Sequence, residues 1–427
     1  MSVITNKLML GTSDLPSLYG YIIDADGMNV TRVQSLSNGE LIVSGDGRMI
    51  KLDADDYSEQ WEVSHTSSHD DDIGMAVDSN NYIYNVSTYD PGASSYIYIT
   101  KHDPADGSQE TYKREVSATG ITFDHNSVWD TFVLREDADS VIAARTTTVD
   151  AIFFGIDVEG GDTGIDDRTV EYNSGAGFLE GLADRGDGYF SQVGKDTTSQ
   201  NIFAGYALAN GTINSTQTVQ YQIAGVDKIG GVPSVVSDGT SRIYVSSLVD
   251  YSNDNYTALS KFDFNVANHY QTIAYDLSGG SNRPIMVMDE DAEYIYLMIH
   301  SSSYKVYFIK IDLSDMSLVW EYSLRNTTSD FSLICRQGCI KKDDGSVVWA
   351  FNNGPIIVSP DGLPTGTFGD FEVLEESNGL KSDLTFDSLT SMSETVASVT
   401  GYNSALTFEY WSTTDVVDTV TKQEVRL

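Results

Sequence analysis

The sequence predicts an all-β chain, a β-propeller of seven or eight four-stranded blades with eight preferred. Three observations carry that prediction. A module of about fifty residues recurs along the whole chain, each module has the turns of four short strands, and many of those strands are apolar at nearly every residue.

The recurrence is plainest in an ungapped match. Lys51, Asp53, Asp56, Ser58, Trp61, Glu62 and Ser64 return 259 positions later as Lys310, Asp312, Asp315, Ser317, Trp320, Glu321 and Ser323. Lys101, Asp103, Asp106 and Ser108 repeat the first half, and Lys261 with Asp263 repeats its start. Weaker echoes stand at residues 155–157, 205–211, 358–362 and 409–411. The anchors near 51, 101, 155, 207, 261, 310, 358 and 409 are about 50 residues apart, so eight modules would fill the chain; seven with a terminal addition is the alternative.

Within one module the strands follow in order. Residues 284–288 form an apolar run, Asp289 opens a turn, and residues 294–299 form a second run. Residues 301–303 turn the chain into 304–311, and Asp312 to Asp315 turn it again into 318–324. β-Branched and aromatic residues bounded by Gly, Asn, Asp and Ser read as strands and tight turns. The runs YIYLMI at 294–299 and VYFIKI at 306–311 lack polar alternation, which places them in sheets covered on both faces. Blades in a propeller are covered in this way by their neighbours. Residues 1–30 hold two further strands, at 8–12 and 19–23, expected to pair with the last blade and close the ring. Residues 31–427 hold the repeats, and 383–427 read as the final module.

Of the 427 residues, 25 are Lys or Arg and 63 are Asp or Glu, for a formal charge of −38. Such a field opposes duplex nucleic acid and anionic membrane surfaces, both of which require clustered cations. A hydrophobic fraction of 40% and an aromatic fraction of 11% supply a large core. Residues 1–20 lack a basic segment followed by a long apolar one, and no apolar run reaches membrane-spanning length, so neither a cleaved secretion signal nor membrane insertion is expected. Cys335 and Cys339 are too few for a disulfide scaffold or a four-ligand zinc site. They read as small core residues or a local bridge.

The Lys-x-Asp-x-x-Asp/Gly-x-Ser-x-x-Trp pattern resembles the quinoprotein-like (PQQ-like) β-propeller repeat. In that repeat a third strand ends in Asp, turns through a Gly-containing loop and enters a fourth strand bearing Trp. The units around Trp61 and Trp320 match best. The resemblance implies a propeller fold. It implies no quinone, because the vicinal cysteine pair of the quinone dehydrogenases is absent.

Candidate binding residues lie on connections between modules and in the longest loops. His65, His69, Asp70, Asp71 and Asp72 combine two imidazoles with three carboxylates, a set that suits a divalent metal or a solvated loop. Asp124 and His125 pair a carboxylate with a base, but no nucleophile elbow accompanies them. Tyr251, Asn253 and Tyr256, in an expected loop at residues 248–256, provide adaptable contacts for proteins or glycans, and Arg283 ends another connection. Asp24 with Asp26 and Gly27, Asp53 with Asp56, and Asp103 with Asp106 are fragments of calcium loops without the terminal Glu. No catalytic residue is assigned and no cofactor is expected, calcium being the one metal these turns would suit.

These features point to a non-enzymatic structural or adhesion propeller with a protein or glycan partner, for instance a bacteriophage tail or capsid-attached protein. Its expected place is a virion or the cell exterior after cytoplasmic synthesis. The alternatives are a calcium-assisted carbohydrate-active enzyme and an intracellular protein-binding scaffold.

Overall fold

The computed structural model describes residues 7–10, 18–23, 25, 28–64, 71–89, 94–119, 132–134, 140–145, 151–156, 168–172, 178–185, 187, 189–195, 202–208, 219–223, 228–229, 234–251, 254–264, 268–276, 284–289, 291–302, 304–328, 333, 335–376, 380–381, 386–391 and 406–410. Every regular element among them is a β-strand. The strands form seven antiparallel sheets, numbered here in the chain order of their first strands, with the sheet that the N-terminal strands complete counted last.

Sheet 1 contains Arg32–Ser35, Leu41–Gly45, Arg48–Leu52 and Glu59–Ser64. Sheet 2 contains Asp71–Val77, Ile83–Tyr89, Ser94–His102 and Gln109–Thr119. Sheet 3 contains Phe132–Val133, Ser140–Arg145, Ala151–Ile156 and Arg168–Tyr172, and sheet 4 contains Phe178–Asp184, Tyr189–Lys195, Ile202–Leu208 and Val219–Ile223. In sheet 5, Lys228–Ile229 and Ser234–Ser237 both pair with Arg242–Tyr251, which is followed by Asp254–Asp263 and His269–Asp276. Sheet 6 contains Pro284–Met288, Tyr294–Ser302, Lys305–Asp312 and Ser317–Asn326. Sheet 7 begins with Cys335–Lys341, Val347–Phe351 and Ile356–Val358. Seven of the repeat anchors fall at the end of third strands or in the turn just after them, one in each sheet.

Sheet 7 takes its fourth strand from the other end of the chain. Gly20–Ile23 pairs antiparallel with Ile356–Val358, Ile22 opposite Ile356, and Lys7–Leu10 pairs beyond it. The fit is close. Ile23 N–H donates to Pro355 O at 3.1 Å and Ala25 N–H to Asn353 O at 2.8 Å. Gly354, with φ of 144°, lies so near that a Cβ there would stand 1.8 Å from the Ile23 carbonyl oxygen.

The expected eighth module is corrected. Residues 383–427 do not build a sheet of their own among the described residues. Phe371–Glu375, with Gly366–Phe368 beyond it, adds to sheet 6, and Leu380–Lys381, Phe386–Ser391 and Leu406–Tyr410 are the outer strands of sheets 5, 4 and 2. Outer strands have the same composition as inner ones, and covering a bare sheet edge satisfies its unpaired backbone groups. The N-terminal strands therefore join the sheet at 335–358, not a module at the C-terminus.

The chain divides into two compact units, one holding sheets 7, 1 and 2 and the other sheets 3 to 6. Within each unit, consecutive sheets stack through their first strands in the manner of propeller blades. The apolar runs follow from this stacking. In sheet 1, Leu41, Val43, Ile50 and Leu52 join a core with Val348, Ala350 and Ile357 of sheet 7. Ile42 and Met49, the intervening residues, join Trp61, Met75 and Ile83 toward sheet 2. Both faces of one strand are thus buried against different neighbours.

Candidate functional site

His65, His69, Asp70, Asp124, His125, Asn253 and Arg283 lie outside the described residues, as do Asp24, Asp26 and Gly27. Asp71 and Asp72 begin the first strand of sheet 2, opposite Thr88 and Ser87. The expected loop at 248–256 is instead the end of a long hairpin. Tyr251 pairs with Asp254, and Tyr256 pairs with Val249 and is buried. The run Leu-Val-Asp-Tyr at 248–251 pairs throughout with 254–257, so pairing outlasts the apolar stretch. Cys335 and Cys339 both lie in the first strand of sheet 7.

The Asp-rich segments form turns of one design. Asp53, Asp103 and Asp312 accept N–H bonds from Asp55, Ala105 and Ser314 at 2.8, 2.7 and 2.8 Å. Three residues on, Asp56, Asp106 and Asp315 accept from Ser58, Ser108 and Ser317 at 2.8, 2.9 and 2.9 Å. Between them Tyr57, Gly107 and Met316 share a left-handed backbone, φ of 58°, 74° and 60°. The carboxylates complete backbone turns, which accounts for their spacing. Among the described residues, no group of three or more His, Cys, Asp or Glu side chains is placed to hold a metal ion.

The lysine of the motif ties one sheet to the next. Lys51 Nζ donates to Pro104 O at 3.0 Å, and Lys261 Nζ to Leu313 O at 3.1 Å. Each carbonyl belongs to the residue just after the motif Asp of the following sheet. Lys51 also meets Glu40 at 2.8 Å, and Trp61 Nε1–H donates to the same Pro104 carbonyl at 3.2 Å. Lysines at this position further lie over tyrosines where the second strand starts: Lys101 over Tyr82, just before it, at 4.3 Å and Lys310 over Tyr294, its first residue, at 4.0 Å.

Between sheets 5 and 6 this arrangement leaves a cleft of about 370 Å³, lined by Tyr244, Ala292, Glu293, Tyr294, Asp312, Leu313 and Ser314. That volume lies in the range of small-ligand sites. Tyr244 forms its inner wall; burial, aided by the Asp238 carboxylate, pushes its hydroxyl up to about 12, so it remains a neutral donor. Asp312 is held below the ordinary carboxylate range by the Ser314 hydroxyl and N–H. Lys261 is pulled down by burial and by Arg242. Arg242 in turn lies over the exposed Tyr270 ring at 4.1 Å. Two tyrosine rings, two carboxylates and a serine therefore line one opening, while Lys261 and Lys310 lie against those rings. Asp312 belongs to the repeat motif, but no local pattern joins it to the others, which come from two turns and a neighbouring sheet. The legible signal was a single extra residue, since the turn from Asp289 to Tyr294 is one longer than that from Asp78 to Tyr82.

No protein-family model matches the chain, and no curated protein matches it. Solved structures of similar fold include hydrazine synthase of Kuenenia stuttgartiensis, 11% identical, with 82% of this chain and 97% of that one covered and a TM-score of 0.49. Drosophila Semaphorin 1a, extracellular domains 1–2, is 8% identical over 82% of this chain and 88% of that one, with a TM-score of 0.48. Virginiamycin B lyase from Staphylococcus aureus is 10% identical over 83% and 97%, with a TM-score of 0.46. The likeness is one of fold alone. No helix among the described residues is long and apolar enough to cross a membrane.

Proposed function

We propose that this chain is a seven-bladed propeller that binds a glycan or protein partner without transforming it, as a structural or adhesion component of a larger particle such as a bacteriophage virion. The observation that carries the binding reading is the cleft between sheets 5 and 6. Its lining offers ring faces, acceptors and a donor hydroxyl, the mixture that fixes a polar ligand in place. The near-equal steps between repeat anchors support the blade count, seven of the eight anchors falling one to each sheet at its third strand. A charge of −38 suits a particle surface, where self-repulsion keeps copies apart and salt screens it.

The test combines binding with turnover. The purified full-length chain is titrated with an oligosaccharide panel and with candidate surface proteins, with and without calcium, and each mixture is then analysed for new products. Saturable binding with the ligand recovered intact is expected, and antibodies to the chain should follow intact particles through density-gradient fractionation. Cleavage or elimination products appearing with enzyme-like turnover would replace this reading with the carbohydrate-active alternative. Recovery in soluble cell fractions alone would remove the particle assignment.

A further inference from the structure

We infer that the cleft between sheets 5 and 6 is a site for a neutral saccharide ring, left open because this interval lacks the contacts that close the interval between sheets 1 and 2. This inference rests on the binding reading above and names the ligand class of that same site.

The equivalent interval between sheets 1 and 2 explains why the cleft exists. There the two first-strand turns are bridged: Ser37 N–H donates to Asn81 Oδ1 at 2.8 Å, and Asn81 Nδ2–H donates to Ser37 Oγ at 2.9 Å. Strand register equates Ser37 with Gly239, because Ser35 pairs with Leu41 and Ser237 with Ile243. It equates Asn81 with Ala292, both left-handed residues whose N–H groups bond back to Asp78 and Asp289. Glycine and alanine have no side chain to build that bridge. A Cβ on Gly239 would meet nothing within 4 Å, so the space beside it is open.

The fourth strand differs as well. Lys51 pairs with Trp61, whereas Lys261 pairs with Gln271. The indole of Trp61 lies against Gly107 and caps Pro104 O, but Gln271 only reaches Asp315 O, at 3.4 Å. In place of bridge and indole the interval carries the additional Glu293, exposed at the mouth of the cleft.

Charge selects the ligand class. A cationic ligand meets Lys310 already on the Tyr294 ring and Lys261 beside Tyr244, so those ring faces have their cations. An anionic ligand meets Glu293 and Asp312 in the lining and the net charge of the chain. A pyranose avoids both penalties. Its C–H face packs on a tyrosine edge or face while its hydroxyls donate to the carboxylates and to the Ser314 hydroxyl oxygen, whose own proton goes to Asp312 at 2.6 Å.

The experiment titrates the full-length chain by calorimetry with neutral oligosaccharides of glucose, galactose, mannose and N-acetylglucosamine, with a polyuronate and an oligolysine as charged arms. The variants are Ala292→Asn, which supplies the side chain that sheet 2 has at Asn81, and Glu293→Lys, which reverses the charge of an exposed side chain. At least one neutral saccharide should bind, each variant should weaken it tenfold or more, and thermal midpoints should stay within a few degrees of wild type. A neutral saccharide bound equally by all three proteins would overturn the cleft assignment while leaving the binding reading intact. Binding of a charged arm in preference to every neutral one would overturn the ligand class. Absence of saccharide binding throughout would overturn the inference, and the partner-protein titration described above then decides the wider reading independently.

Discussion

Lys51 and Trp61 show how single residues account for the motif. Both donate to Pro104 O, so a single carbonyl of sheet 2 receives two donors from sheet 1. Replacing Trp61 with Ala removes a buried ring and one of these bonds, and the expected loss is roughly 3–5 kcal/mol. Lys51→Met keeps the aliphatic stem but leaves Glu40 without its ion pair; a smaller loss, about 1–3 kcal/mol, is expected. Urea titration followed by tryptophan fluorescence for Lys51→Met and by far-ultraviolet dichroism for Trp61→Ala measures both. Gly107 sets the other side of the contact. Its φ is 74°, and a Cβ would lie 2.6 Å from Val63 and 2.9 Å from Trp61, so Gly107→Ala should cost more than an ordinary surface change.

At the scale of elements, the turns carry the dependence on acid. The Ser108 hydroxyl and N–H hold Asp106 below the ordinary carboxylate range, and Ser314 does the same for Asp312. Burial pushes Asp238 upward, but N–H groups of Ser241, Arg242 and Thr240 outweigh it and the net shift is downward. A carboxyl whose folded pKa is depressed contributes stability that is complete above its unfolded value of about 4 and is lost as pH falls through the folded value. The thermal midpoint should therefore be flat near neutrality and drop only below about pH 4. Asp312→Asn, which keeps an acceptor but has no charge to lose, should flatten that drop; an unchanged acid profile would contradict the turn assignment. The strands themselves were largely legible before any coordinates. Anchors such as Lys51, Lys101, Lys261 and Lys310 mark third strands because Asp must follow them to make the turn. The outer strands were not legible in the same way: residues 406–410 have the composition of a blade strand, and nothing local specifies the sheet edge they cover. The hairpin at Tyr251 has the sequence of a loop, because polar residues in a pairing strand look like residues in a turn. The cleft escaped for a third reason, since Gly239 and Ala292 matter through side chains that the other interval has and they lack.

For the molecule as a whole, the link between the N-terminal strand and Ile356–Val358 matters most. The N-terminal strand is the fourth strand of sheet 7, and Tyr21 continues its hold by packing on Tyr19 and Tyr57, ring centroids 5.8 and 5.5 Å apart. Lys342 Nζ donates to the Tyr57 hydroxyl at 3.4 Å and joins this cluster to the first turn of sheet 7. Gly354→Ala would push a methyl group into the Ile23 carbonyl, and a loss of at least ~2 kcal/mol is expected in a urea titration. The most direct measurement is amide hydrogen exchange by mass spectrometry on the full-length chain and on a version lacking residues 1–24. The account predicts that peptides covering Ile356–Val358 are protected in the full chain and exchange rapidly once the N-terminal strand is gone, while Arg48–Leu52 stays protected. Equal protection of Ile356–Val358 in both proteins would contradict it.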